Sequence, residues 1–85
     1  MRILIPTALH SYTKKSWVEA NGATLQALLT DLDQHYPGIR FRMLDEQEQI
    51  RPHIRFFING DQTFDLTCPL HPTDEVLIVQ ALSGG

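Results

Sequence analysis

Thr24-Leu25-Gln26-Ala27-Leu28-Leu29-Thr30-Asp31-Leu32-Asp33-Gln34-His35-Tyr36 decides the fold. Leu25, Leu28, Leu29, Leu32 and Tyr36 fall at i, i+3, i+4, i+7 and i+11, one continuous apolar stripe at the helical period. Thr24 stands at the N-cap position, where its hydroxyl can accept a bond from an unpartnered backbone N–H of the first turn. Asn21-Gly22 before it is a turn signal, and Pro37-Gly38 ends the helix behind it. A helix with a single apolar stripe has one surface to cover, and the rest of the chain reads as the strands that would form it.

Upstream, residues 2–9 predict a first strand rich in β-branched side chains. Pro6 cannot donate to a ladder, which places that part at an edge or a strand end. Residues 14–20 predict a second strand with Trp17 and Val18 on opposite faces, and His10 to Thr13 is short enough for the hairpin between them. Downstream, residues 39–53 are polar with apolar anchors at Ile39, Phe41, Met43 and Leu44, a loop with room for one helical turn. Ile54 to Ile58 is a strand, Asn59-Gly60 a tight turn that tolerates positive φ, and residues 61–66 the return. Pro69 and Pro72 bracket a loop before the last strand, residues 75–81.

The order is ββ-α-ββ-β, which predicts a two-layer α+β domain: a mixed sheet of four to five strands packed on one main helix. The last strand is apolar from Val76 through Val79. Such a run suits a central strand buried on both faces, or one whose second face meets a partner. By period two, Val76 and Ile78 share one face, and Leu77 and Val79 the other.

Composition narrows the function. A chain of 85 residues, 42 % of them apolar, makes one domain with one thin core. Little is left to wall off a catalytic cavity, so a carrier or binding module is expected rather than an enzyme. The net charge of −3 argues against a nucleic-acid partner. The arginines Arg40, Arg42, Arg51 and Arg55 are interrupted by Asp45-Glu46-Gln47-Glu48, which reads as a solvated mixed-charge loop. His10, His35, His53 and His71 lack close ligand spacing, so no metal is expected. Cys68 is the only cysteine; it can form no intrachain disulfide, has no base beside it in sequence, and reads as a small buried apolar residue. No segment reads as a signal peptide or membrane span, so a reducing cytoplasm and no membrane partner are expected.

The sharpest signal is the end, Ser83-Gly84-Gly85. Two glycines would close a chain by chance with a probability of roughly 0.5 %. A C-terminus that must enter another protein's active site has to be thin, and glycine, without a Cβ, permits close backbone approach. Its carboxylate, with a reference pKa of about 3.3–3.7, is an anion at neutral pH and a poor electrophile. Activation as an acyl-adenylate would let a sulfur nucleophile displace AMP and leave a thiocarboxylate. The expected division is a domain over residues 1–81 and a flexible Gly-Gly tail over residues 82–85.

Thr24-Leu25 opening the helix, Ile58-Asn59-Gly60 in the hairpin, Asp74-Glu75-Val76 entering the last strand and Ser83-Gly84-Gly85 together resemble the β-grasp (ubiquitin-like) sulfur carriers. That family includes the molybdopterin synthase small subunit and the thiazole-synthesis carrier. Ile5-Pro6-Thr7 and the long segment from Ile39 to Asn59 look most like carriers serving cysteine synthesis or a specialised sulfur metabolite. Two positions depart from the pattern: Thr73 stands where glycine is common, and Gln80 near where proline or alanine is usual.

The resemblance implies a protein co-substrate rather than an enzyme. A ubiquitin-activating-like adenylyltransferase would use ATP on Gly85, a sulfur donor would form the thiocarboxylate, and a downstream sulfur-accepting synthase would consume it. No cofactor would be bound by the carrier. Gly85 and Gly84 would carry the chemistry. Leu77, Val79, Leu82 and Ser83, with Phe57, would meet partners through an apolar patch on the sheet face away from the helix. Two alternatives stay open: a ubiquitin-like modifier joined through Gly85 to lysines, and an interaction domain whose tail is incidental.

Overall fold

The computed structural model describes residues 1–81. Five strands form one sheet in the order β2-β1-β5-β3-β4. β1 is Arg2–Leu4, β2 Trp17–Glu19, β3 Ile54–Ile58, β4 Asp61–Thr63 and β5 Glu75–Gln80. β1 pairs antiparallel with β2, parallel with β5; β5 pairs antiparallel with β3, and β3 with β4. This is a β-grasp sheet, two antiparallel pairs flanking the central strand β5, which runs parallel to β1, with the long helix across one face.

That helix, α2, spans Leu25–His35. The Thr24 hydroxyl accepts from the Ala27 N–H at 3.2 Å, the expected cap. Leu25, Leu28, Leu29 and Leu32 are fully buried, and Tyr36 at the helix end packs against the same cluster. Opposite them stand the inward residues of the sheet, Ile3, Val18, Ile54, Phe56, Val76 and Ile78. The four-residue apolar run of β5 therefore belongs to a central strand, and only its even-numbered positions enter the core.

The N-terminal segment differs from its reading as a long hairpin. β1 stops at Leu4; Thr7–Leu9 is a 3-10 turn, and α1, His10–Thr13, follows as one helical turn. Pro6 explains the stop. Its ring holds φ at −63° and removes a donor, so the ladder ends and the chain turns. Leu9 then drops into the core from the turn, while Thr7, two positions earlier, is exposed, which a continued strand would not give. β2 is correspondingly shorter than residues 14–20.

The single helical turn expected between residues 39 and 53 is α3, Ile39–Met43. Ile39, Met43 and Leu44 are buried anchors, whereas Phe41 points out, 53 % exposed. Gly38, at φ 95°, makes the turn from α2 into α3. In the β3–β4 hairpin, Asn59 at φ 50° and Gly60 at φ 90° give the two left-handed residues that match strand twist.

Candidate functional site

β5 is the element that hands the chain to its C-terminus. Its last ladder contact is the Ala81 N–H donating to the His53 carbonyl at 2.7 Å, which fixes the backbone as far as Ala81. Leu82, Ser83, Gly84 and Gly85 lie outside the described residues. The site that can be built is the surface leading to them.

On the sheet face away from α2, the register draws one row across four strands. Trp17 pairs with Leu4, Leu4 with Leu77, and Leu77 with Phe57. All four side chains are half-buried, on the face opposite the one that carries α2. Val79, one step nearer the tail on β5, is 40 % exposed beside Arg55. The expected apolar patch of Leu77, Val79 and Phe57 is thus brought together on one face. The alternative that the whole β5 run is core does not hold, because Val76 and Ile78 alone are buried.

Two members of the row were not anticipated. The sequence places Leu4 and Trp17 only within the first and second predicted strands. The signal that could have found them is cross-strand register: once β1 pairs with both β2 and β5, Leu4 must stand between Trp17 and Leu77. Arg2 closes one corner of the patch. Its guanidinium lies 4.1 Å over the Trp17 ring and 3.3 Å from the Glu75 carboxylate.

The far end of β5 is held by a polar clamp. Asn59 donates from Nδ2 to Asp74 Oδ1 at 2.8 Å, and its Oδ1 accepts from the Glu75 N–H at 2.9 Å. The Asn59 N–H also donates to the Glu75 carbonyl, and the His71 N–H to Asp74 Oδ2. The His71 N–H, then the Asn59 amide, hold the Asp74 carboxyl below the usual carboxylate range. The Ile58-Asn59-Gly60 and Asp74-Glu75-Val76 motifs are therefore one structural device, which fixes the register of the patch-bearing strand.

The other candidates do not assemble into chemistry. Cys68 is half-buried, its thiol 3.7 Å from the Pro69 carbonyl. Among the described residues, no group of three or more histidine, cysteine or acidic side chains is placed to hold a metal ion. No helix of the described residues is long and apolar enough to cross a membrane.

The ThiS family matches residues 3–85. The chain belongs to the ThiS family. The sulfur carrier protein CysO of Mycobacterium tuberculosis is 32 % identical over 90 residues, covering 98 % of this chain and 96 % of that protein. A chain in the crystal structure of the Amycolatopsis orientalis BexX/CysO complex superimposes with a TM-score of 0.89 at 28 % identity, covering 99 % of this chain and 98 % of that one. The small archaeal modifier protein SAMP1 of Haloferax volcanii shares the fold, with a TM-score of 0.81 at 23 % identity over 100 % of this chain and 98 % of that one. This ThiS-family chain is a β-grasp sulfur-carrier protein.

Proposed function

We propose that this carrier holds sulfur as a thiocarboxylate on Gly85 and delivers it to a synthase of cysteine biosynthesis in a reducing cytoplasm. A ubiquitin-activating-like adenylyltransferase binds the apolar row of Trp17, Leu4, Leu77 and Phe57, with Val79 beside it. The Gly85 carboxylate attacks the α-phosphorus of ATP and pyrophosphate leaves. A sulfur donor adds to the acyl carbon of the adenylate and AMP leaves. The carrier contributes the reacting carboxyl and the docking face, and no catalytic side chain.

The observation that supports this reading best is the uncovered apolar row on the strand that runs on into Ser83-Gly84-Gly85. A domain this small leaves such a row only half-buried, with Val79 exposed beside it, at the cost of unburied apolar surface, and a contiguous patch of this kind marks an interaction site. The carrier named in the BexX/CysO complex matches this chain along nearly its whole length, which supports a synthase as the receiving partner.

The test is intact-protein mass spectrometry after incubation with ATP, a cognate adenylyltransferase and a sulfide source. The expected product is heavier by the difference between one sulfur and one oxygen. A folded chain that no encoded activating enzyme adenylates overturns the proposal. Lysine-linked conjugates forming in place of a thiocarboxylate would support the modifier alternative instead.

A further inference from the structure

The groove beside the end of β5 is cationic in an otherwise acidic chain. β1 and β5 run parallel, so both finish at the edge where β3 begins. A groove of about 460 Å³ opens there beside Gln80, between the 3-10 turn with α1 on one side and α3 on the other. Arg42, Arg51 and His53 line it together with Tyr12 and Phe41.

Both arginines are held in place without being neutralised. Arg51 Nε donates to the Phe41 carbonyl at 2.7 Å, and its guanidinium stacks 4.6 Å over the Phe41 ring. Arg42 Nε donates to the Tyr12 hydroxyl at 2.7 Å, its guanidinium 5.9 Å from that ring. Among the described residues neither makes an ion pair, whereas Arg2 pairs with Glu75 and Arg40 with Glu48. The nearby acidic run does not neutralise them. Asp45 accepts from the Gln47 and Gln49 N–H groups, Glu48 is taken by Arg40, and neither these two nor Glu46 line the groove. The mixed-charge loop of the sequence is therefore sorted by folding into pairs on one side and two free forks on the other.

We propose that this groove receives an acidic, extended segment of the protein that takes up the carrier's tail. The inference rests on the carrier reading only for the source of that segment. A planar guanidinium whose Nε is already bonded presents its terminal amino groups in the geometry that matches a carboxylate. The exposed Phe41 ring and the buried Leu9 and Ile54 beneath give the groove an apolar element that suits a peptide carrying carboxylates and apolar side chains in turn. A net charge of −3 opposes a long polyanion, which disfavours nucleic acid, while a short acidic segment meets only the cationic end. Placed beside the last residue of β5, the arginines would steer the tail-bearing end toward the partner, and the effect would weaken as salt rises.

The experiment is a titration of the full ¹⁵N-labelled chain with a short blocked peptide of alternating glutamate and leucine, followed by NMR at low salt. Saturable shifts are expected at the amides of Arg42, Arg51, His53 and Gln80. Binding should weaken at least about tenfold in R42Q/R51Q, from loss of charge-assisted hydrogen bonds. Should the double variant fold poorly, Arg42→Gln alone serves, since Arg42 is exposed and, among the described residues, its side chain bonds only Tyr12. Equal binding by the double variant, by the same peptide with glutamine for glutamate, or by a single-stranded oligodeoxynucleotide of equal charge overturns the proposal. No activation or sulfur chemistry enters this titration. A failed thiocarboxylation therefore leaves its result standing, and a failed titration leaves the carrier reading standing.

Discussion

Asp74 shows how a single half-buried carboxylate can set strand register. It accepts from the His71 N–H and the Asn59 amide, while Asn59 in turn bonds Glu75 at the first position of β5. These bonds favour the ionised form, so the folded chain holds this proton less tightly than the unfolded chain does. The resulting stability is fully present above the ordinary aspartate pKa of about 3.9 and is lost as pH falls through the lower folded value. Asp74→Ala should therefore lower the denaturation midpoint at neutral pH, and the gap from the parent chain should close in strong acid. Paired urea melts across that range check it; a gap independent of pH would mean that the carboxylate charge contributes nothing. Gly22 makes a different point. The Asn21-Gly22 pair reads as a turn, yet Gly22 lacks the positive φ seen at Gly38 and Gly60. It is needed for space: a Cβ there would sit 2.3 Å from the Leu28 nitrogen and 2.7 Å from the Ala27 carbonyl carbon, backbone atoms of α2 that cannot step aside. Gly22→Ala should destabilise the domain by about 1–3 kcal/mol through overpacking, read by thermal or urea unfolding.

At the scale of elements, legibility follows the period of the pattern. α2 and its Thr24 cap could be read because one helix face packs on one sheet, so its stripe is complete in the local sequence. The β3–β4 turn was readable at Asn59-Gly60, since positive φ leaves a chemical trace. The segment from Thr7 to Thr13 was not, because Leu9 and Thr13 are buried from helical turns too short to show a period. The two faces of β5 were legible as alternatives, and which one faces the helix follows from its pairing with β1 and β3. The row through Leu4 and Trp17 could not be read locally at all, being a property of three strand pairings distant in sequence. The face assignment yields a contrast between neighbours. Val79→Asp, on the uncovered face, should change stability by less than about 1 kcal/mol, yet weaken docking to the activating enzyme about tenfold or more, because an apolar contact is desolvated only in the complex. Ile78→Asp, 1 % exposed and under α2, should unfold the chain by burying an unpaired charge. Circular dichroism melts beside binding measurements decide between them. A Val79→Asp chain that docks normally would remove that residue from the interface.

At the scale of the whole molecule, the core of the described residues and the proposed chemistry lie on different stretches of chain. Among the described residues every member of the buried cluster lies at or before Ile78, and Leu28 and Leu32 within it have no exposed surface. A domain of this size has little stability in reserve. Leu28→Ala should cost about 2–5 kcal/mol from lost transfer energy and the cavity left behind, enough to leave much of the population unfolded. The Gly-Gly end was the strongest functional signal in the sequence for a different reason: in the proposed function its residues serve passage into a partner, where a missing Cβ permits close backbone approach. Removing Gly85 should therefore leave the urea midpoint of the domain unchanged while abolishing conversion to the thiocarboxylate, because the activated carboxyl is no longer presented at the required distance. Appending one residue after Gly85 should do the same, and Gly84→Val should block conversion by thickening and stiffening the approach. Intact mass spectrometry of these variants, with the cognate adenylyltransferase, ATP and a sulfide source, measures conversion, and a melt of the same samples measures the fold. If the Gly85 deletion still transferred sulfur at the parent rate, the reacting group would lie elsewhere in the chain, and the docking face on β5 would need another explanation.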